Sequence, residues 1–142
     1  MKHEYIEFAF DEKLGYARCL MICNGQAFEG GAKCHPDDMD MISERTGCCI
    51  AEARAYIKAL RFKRDHEIQP KLDVLRHLYS NMQTSKYFNP KSYEAKMLRS
   101  QIGAIEKELA AVSEDLAEEK KYLKEYIDKK DKFYQRLRAR NQ

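Results

Sequence analysis

From Leu98 to Leu137 the chain returns to one helical side every three or four residues: Leu98, Ile102, Ile105, Leu109, Val112, Leu116, Glu119, Leu123, Tyr126, Lys130, Phe133 and Leu137. Only Glu119 and Lys130 interrupt the apolar run. A 3,4 spacing sustained this long is the pattern of one helix packed along its length against other helices, as in a coiled coil. Asn89-Pro90 precedes it, a capping side chain followed by a proline suited to a first turn, so the helix is expected to open there. At 1.5 Å per residue it would be roughly 75 Å long. A small sheet cannot cover that length. The seam has to meet the preceding helix, a second copy of the chain, or both.

Charge favours a second copy. Residues 103–119 carry six acidic side chains and one Lys, whereas 120–140 carry nine basic and three acidic. Antiparallel pairing of two such helices sets acid beside base, although basic residues near a helix C-terminus also suit its dipole. The imbalance extends to the whole chain. Residues 1–40 hold 4 basic and 8 acidic groups, and the remainder holds 22 and 15, so a net +3 divides into −4 and +7.

The first forty residues change period. Ile6, Phe8 and Phe10 alternate with Glu7 and Ala9, the period of two of a half-buried strand. Asp11-Glu12-Lys13 with Gly15 supplies a turn, and Tyr16 to Cys23 reads as a second strand running into Asn24-Gly25, a strong hairpin signal. A third strand, from Gln26 to about Lys33, contains Gly30-Gly31, which predicts a bulge or a close backbone approach. Pro36-Asp37-Asp38 ends the sheet. A helix follows from about Thr46 with a core side of Ile50, Ala53, Ile57 and Leu60 and a basic row of Arg54, Lys58, Arg61 and Arg64. Another helix is expected near Pro70 with Ile68, Leu72, Leu75, Tyr79 and Met82 on its apolar row, and Gln83 to Phe88 reads as a loop. The expected fold is therefore α+β: a small antiparallel sheet with one helix in residues 1–64, then a long helical hairpin, coiled-coil-like and oligomerising, in residues 65–142. Six Gly and three Pro in 142 residues agree with long helices.

Several function classes drop out. No segment reaches the roughly 18 apolar residues of a membrane span, and Met1-Lys2-His3-Glu4 is not the start of a secretory signal. The five cysteines lack zinc-knuckle spacing, so free thiols in a reducing cytoplasm are expected, without metal and without cofactor. The cluster Asp37, Asp38 and Asp40 reads as a solvated turn before a helix rather than a cation site or an acid–base pair. A glycine-rich phosphate loop, a nucleophile elbow and a His-Glu-x-x-His zinc motif are all missing, and the chain is not expected to be an enzyme.

Binding chemistry remains. Tyr87 and Phe88 offer flat faces to a base, Asn89 an amide for its polar edge, and Arg99, Arg136 and Arg138 forked donors suited to phosphate. These six residues form the expected ligand site. Phe88 and Arg136 should matter more than Arg54.

The segment Gly31-Ala32-Lys33-Cys34-His35-Pro36-Asp37-Asp38, followed by Ala51-Glu52-Ala53-Arg54-Ala55, resembles a pattern of small phage and prophage proteins in which a sheet ends in a Cys-x-Pro-x-Asp turn before a helix. Together with the length and the strands-then-helices layout, the chain resembles the first type of Thoeris anti-defence sponge. That resemblance implies a phage protein in the cytoplasm of an infected bacterium, engaged in a host–virus interaction. It would bind the cyclic ADP-ribose isomer made by Toll/interleukin-receptor-domain enzymes, and hold it without cleavage. It also implies a homo-oligomer, a dimer or larger, with pockets between protomers, and relatives that take other cyclic nucleotides. The competing expectation is a nucleic-acid-binding or helix-mediated protein-interaction module of phage origin.

Overall fold

The structure is a computed structural model that describes residues 3–34 and 43–141. The expected turn with His35, Pro36, Asp37, Asp38 and Asp40 lies outside the described residues. Strands β1 (Tyr5–Asp11), β2 (Tyr16–Cys23) and β3 (Gln26–Lys33) form one antiparallel sheet in sequential order. Helix α1 (Glu44–Phe62) runs through a π-helical stretch (Lys63–Ile68) into α2 (Gln69–Gln83), and α3 spans Tyr93–Asn141. The fold is α+β. Among the described residues no helix is long and apolar enough to cross a membrane.

Both turns of the sheet follow from their residues. Asp11 Oδ1 accepts from the amides of Lys13 and Leu14 at 2.9 and 3.1 Å, and Gly15 takes φ 62°. Asn24 and Gly25 have φ 49° and 74°, the pair of positive values that lets a two-residue turn match the strand twist. This turn pairs Cys23 with Gln26 and sets the register Met21–Phe28, Cys19–Gly30 and Ala17–Ala32. The ladder continues without a bulge, so the Gly30-Gly31 pair marks a close approach instead. A methyl group on Gly30 would run into the Ala51 carbonyl oxygen and the Ala55 amide of α1.

Two compact units make up the chain: Met1–Leu60 with Leu116–Gln142, and Arg61–Asp115. The division differs from a cut after residue 64, because the second part of α3 returns to the sheet unit. In that unit α1 buries two sides rather than one. Ala51, Ala55 and Ala59, with Gly47 one turn earlier, pack on Ala17, Cys19, Met21 and Cys23. The expected side also goes under: Ala53, Ile57 and Leu60 are buried and Ile50 half-buried. That second side faces α3, whose Glu119 and Tyr122 lie near Glu52 and Ala53, and whose Ile127 and Tyr134 lie near Thr46 and Ile50. The two helices are therefore antiparallel. A spacing of three and four finds the larger side chains; the small-residue row that touches the sheet carries almost no hydropathy signal.

The second unit is a helical hairpin. Leu72 of α2 is buried, and Leu75, Tyr79 and Met82 are half-buried along the side facing α3. Pro70 has no amide hydrogen and its ring crowds the carbonyl four residues back, and the helix answers with the π stretch just before it. The α3 start is displaced from expectation. Asn89 Oδ1 accepts from the Lys91 amide at 3.0 Å and so caps a turn, while Ser92 Oγ accepts from the Ala95 amide at 3.2 Å and caps the helix. Within the seam every position from Leu98 to Lys130 is buried or half-buried, served by α2 in one unit and α1 in the other. Phe133 is exposed and Tyr134 takes its place.

Candidate functional site

The basic row on α1 has a structural task. Arg54 Nη1 donates to the Gly31 carbonyl at 2.7 Å, and Lys58 Nζ donates to the Glu29 carbonyl at 2.6 Å. These carbonyls lie on the outer edge of β3, where no further strand donates to them among the described residues. Arg64 pairs with its neighbour Asp65 at 2.7 Å. Two cations of the row, Arg54 and Lys58, thus close the outer edge of β3.

Where that row meets the end of the sheet, the first unit has a cleft of about 190 Å³. Lys33 at the end of β3, Arg54 on α1 and Lys130 on α3 are among its lining residues, with the aromatic Phe10 and Tyr134 and with Asp131 as the one described carboxylate. The start of α1 also opens here: Ser43 Oγ accepts from the Thr46 amide at 3.2 Å, and Ser43, Thr46 and Gly47 line the cleft. A helix start adds positive potential. The Lys130 ammonium lies 5.6 Å from the centre of the Tyr126 ring and 5.9 Å from that of Phe133, a cation–π contact with each. Tyr126 in turn sits against Thr46 and Cys49, and burial pushes its phenol above the ordinary value.

A second cleft of the same unit, about 350 Å³, is acidic and aromatic, with Glu52, Glu119, Tyr56 and Tyr122. Burial, and then the Glu52 charge, hold the Glu119 carboxyl above its usual range. Such a cleft repels phosphate. Three of the thiols are held in the protonated form. Cys19 is fully buried and pushed up to about 11 by burial, and burial also raises Cys23 and Cys48. Among the described residues no group of His, Cys, Asp and Glu could hold a metal ion.

The six residues expected at the ligand site fall in both units. In the hairpin, Arg99 Nη1 donates to the Tyr79 hydroxyl at 3.0 Å, and Nη2 donates to the Pro90 carbonyl at 2.7 Å. Phe88 meets the Tyr79 ring edge-on at 6.1 Å. Tyr79 thus brings Phe88 and Arg99 together, in an arrangement that ties the 84–92 loop to α2. Tyr87 stands 84% exposed, with the Lys86 ammonium 5.6 Å from its ring, and Asn89 is occupied in its turn. Arg136 is exposed and Arg138 half-buried near the end of α3, in the sheet unit. Lys33, Lys130, Phe10 and Tyr134 were not expected at a site. Lys130 did carry a signal, as a cation at a seam position. Compared with known protein families, curated proteins and solved structures, the chain matches none.

Proposed function

We propose that the protein binds a phosphate-bearing cyclic nucleotide of the cyclic ADP-ribose type in the cationic cleft and holds it unchanged, as an anti-defence sponge does. One observation carries the reading: Lys33, Arg54 and Lys130, from three elements, all line one cleft beside the start of α1, together with the aromatic Phe10 and Tyr134. Charge-assisted donors suit a pyrophosphate, the helix start adds to them, and the rings suit a base. The cleft's 190 Å³ is below the roughly 300–1,000 Å³ of most ligand pockets. It therefore fits the pyrophosphate or the base, with the rest of the ligand at the mouth. Sequestration asks for affinity alone, since each signal molecule held is removed from the pool.

Calorimetric titration of a cyclic ADP-ribose isomer tests this, with intact ligand recovered afterwards by heating. Lys130→Ala and Lys33→Ala should each weaken binding at least tenfold, about 1.4 kcal/mol, while Phe88→Ala and Arg136→Ala leave it unchanged. A wild type that binds no cyclic nucleotide ends the proposal. Binding that depends on Phe88 and Arg136 instead keeps the function and removes the cleft.

A further inference from the structure

The two outer edges of the sheet are treated differently. In the two-residue turn at Asn24-Gly25 the flanking Cys23 and Gln26 are a doubly hydrogen-bonded pair, and such pairs alternate along an antiparallel ladder. Residues 26, 28, 30 and 32 of β3 therefore bond to β2, and 27, 29, 31 and 33 point their backbone groups outward. The Arg54 and Lys58 bonds fall on the Gly31 and Glu29 carbonyls, which agrees with that phase. The same alternation makes 16, 18, 20 and 22 of β2 bond to 5, 7, 9 and 11 of β1. Ile6, Phe8 and Phe10 are left with amides and carbonyls aimed at the outer edge of β1. Among the described residues no strand and no side chain accepts or donates there. Phe8 also belongs to the sheet side that α1 covers, yet it is 43% exposed, while Ile6 and Phe10 on either side of it pack against the core.

We infer that β1 pairs with β1 of a second copy of this chain, antiparallel about a two-fold axis at Phe8, to give a continuous six-stranded sheet. Phe8 is the midpoint of Tyr5–Asp11. A two-fold there pairs Phe8 with Phe8 and Ile6 with Phe10, the residues whose backbone groups are outward, for about six hydrogen bonds. It lines up apolar side chains on the covered side of the sheet. On the other side it sets Glu7 against Ala9 and Tyr5 against Asp11, so no two carboxylates oppose each other. A two-fold at Glu7 or Ala9 keeps the bond phase but sets Glu7 against Glu7 or against Asp11, one between two residues loses the phase, and one at Ile6 or Phe10 leaves half of the strand unpaired. Arg54 and Lys58 meanwhile keep β3 from pairing, so the sheet closes at two copies instead of extending.

The test is light scattering on Phe8→Glu and Phe8→Lys, separately and mixed in equal amounts, with circular dichroism on each. The wild type is expected at twice the chain mass. Each variant should be folded and monomeric, with a dissociation constant raised at least tenfold, and the mixture should recover the dimer, because opposite charges then face each other at the axis. The paired change Val74→Asp with Leu78→Asp, on α2 where those side chains are 59% and 50% exposed, should leave the dimer intact. Hydrogen exchange on the wild type gives an independent reading: amides of Ile6, Phe8 and Phe10 should gain protection as concentration rises. A monomeric wild type, protection independent of concentration, or a dimer lost only in the α2 variant overturns the inference.

Discussion

Gly30→Ala is the most direct probe of how α1 meets the sheet. The added methyl would strike the Ala51 carbonyl oxygen and the Ala55 amide, both backbone, with the Ala51 carbonyl carbon at 3.1 Å. Backbone of a helix cannot turn aside as a side chain does. The helix has to withdraw by more than about 1 Å before contacts return to the ~3.5 Å of ordinary packing. That separates the Ala51, Ala55 and Ala59 row from Ala17 and Cys19, which are now in full contact. Overpacking of this kind costs about 1–3 kcal/mol, against which the stiffer unfolded chain returns about 0.4–1 kcal/mol. A net loss of about 1–2 kcal/mol is expected, roughly 5- to 30-fold in the folded-to-unfolded ratio. Urea unfolding gives the number, with thiol labelling as the probe. All five cysteines lie in the sheet unit, so labelling reports that unit rather than the hairpin. A variant within about 0.5 kcal/mol of the wild type, or more stable, would refute the close approach, since only the unfolded-state gain would then be left.

Gly103→Ala should do the reverse: a methyl there meets nothing within 4 Å in α3, so a gain of about 0.8 kcal/mol in the unfolding free energy of the hairpin, read from urea unfolding, is expected. Arg99→Ala removes the bonds to Tyr79 and Pro90 and should cost about 1 kcal/mol while raising amide exchange across residues 84–92. The Cys19 thiol supplies a pH test. Its folded value, about 11, lies above the unfolded 9.0, so the folded state prefers the protonated thiol. Its contribution is complete below pH 9 and is lost as pH climbs towards 11, an upper bound of roughly 2–3 kcal/mol. Cys19→Ala should flatten the stability curve across that interval, and an unchanged slope would assign the alkaline loss elsewhere.

The elements that sequence periodicity made legible are those whose burial is carried by large side chains. Ile6 with Phe10, the Asn24-Gly25 turn, the Leu72 side of α2 and the long seam all declared themselves through hydropathy at a fixed spacing. The contact that assembles the sheet unit did not, because it is made by absence of volume: Gly30 and Gly47 with Ala51, Ala55 and Ala59. Small residues give a weak moment whichever way they face. The start of α3 escaped for a different reason. Asn89-Pro90 and Ser92 both offer capping chemistry, and the choice between them depends on where the loop is tied down, by Arg99 to Pro90 and by Phe88 to Tyr79.

The site was hidden by the same split between local and assembled features. Tyr87, Phe88 and Asn89 stand together in sequence, and in the structure Phe88 meets the Tyr79 ring, Asn89 caps a turn and Tyr87 is exposed. Lys33, Arg54 and Lys130 lie on three separate elements, and only the antiparallel return of α3 along α1 brings them to one cleft. Yet the two polar breaks in the seam carried the information. A charged residue at a buried helical position is costly unless its surroundings stabilise it. Lys130 lines the cationic cleft and Glu119 the acidic one, each at a place where the seam meets α1 and not another row of leucines. In this chain, then, each polar interruption of the apolar repeat falls at a cleft of the sheet unit.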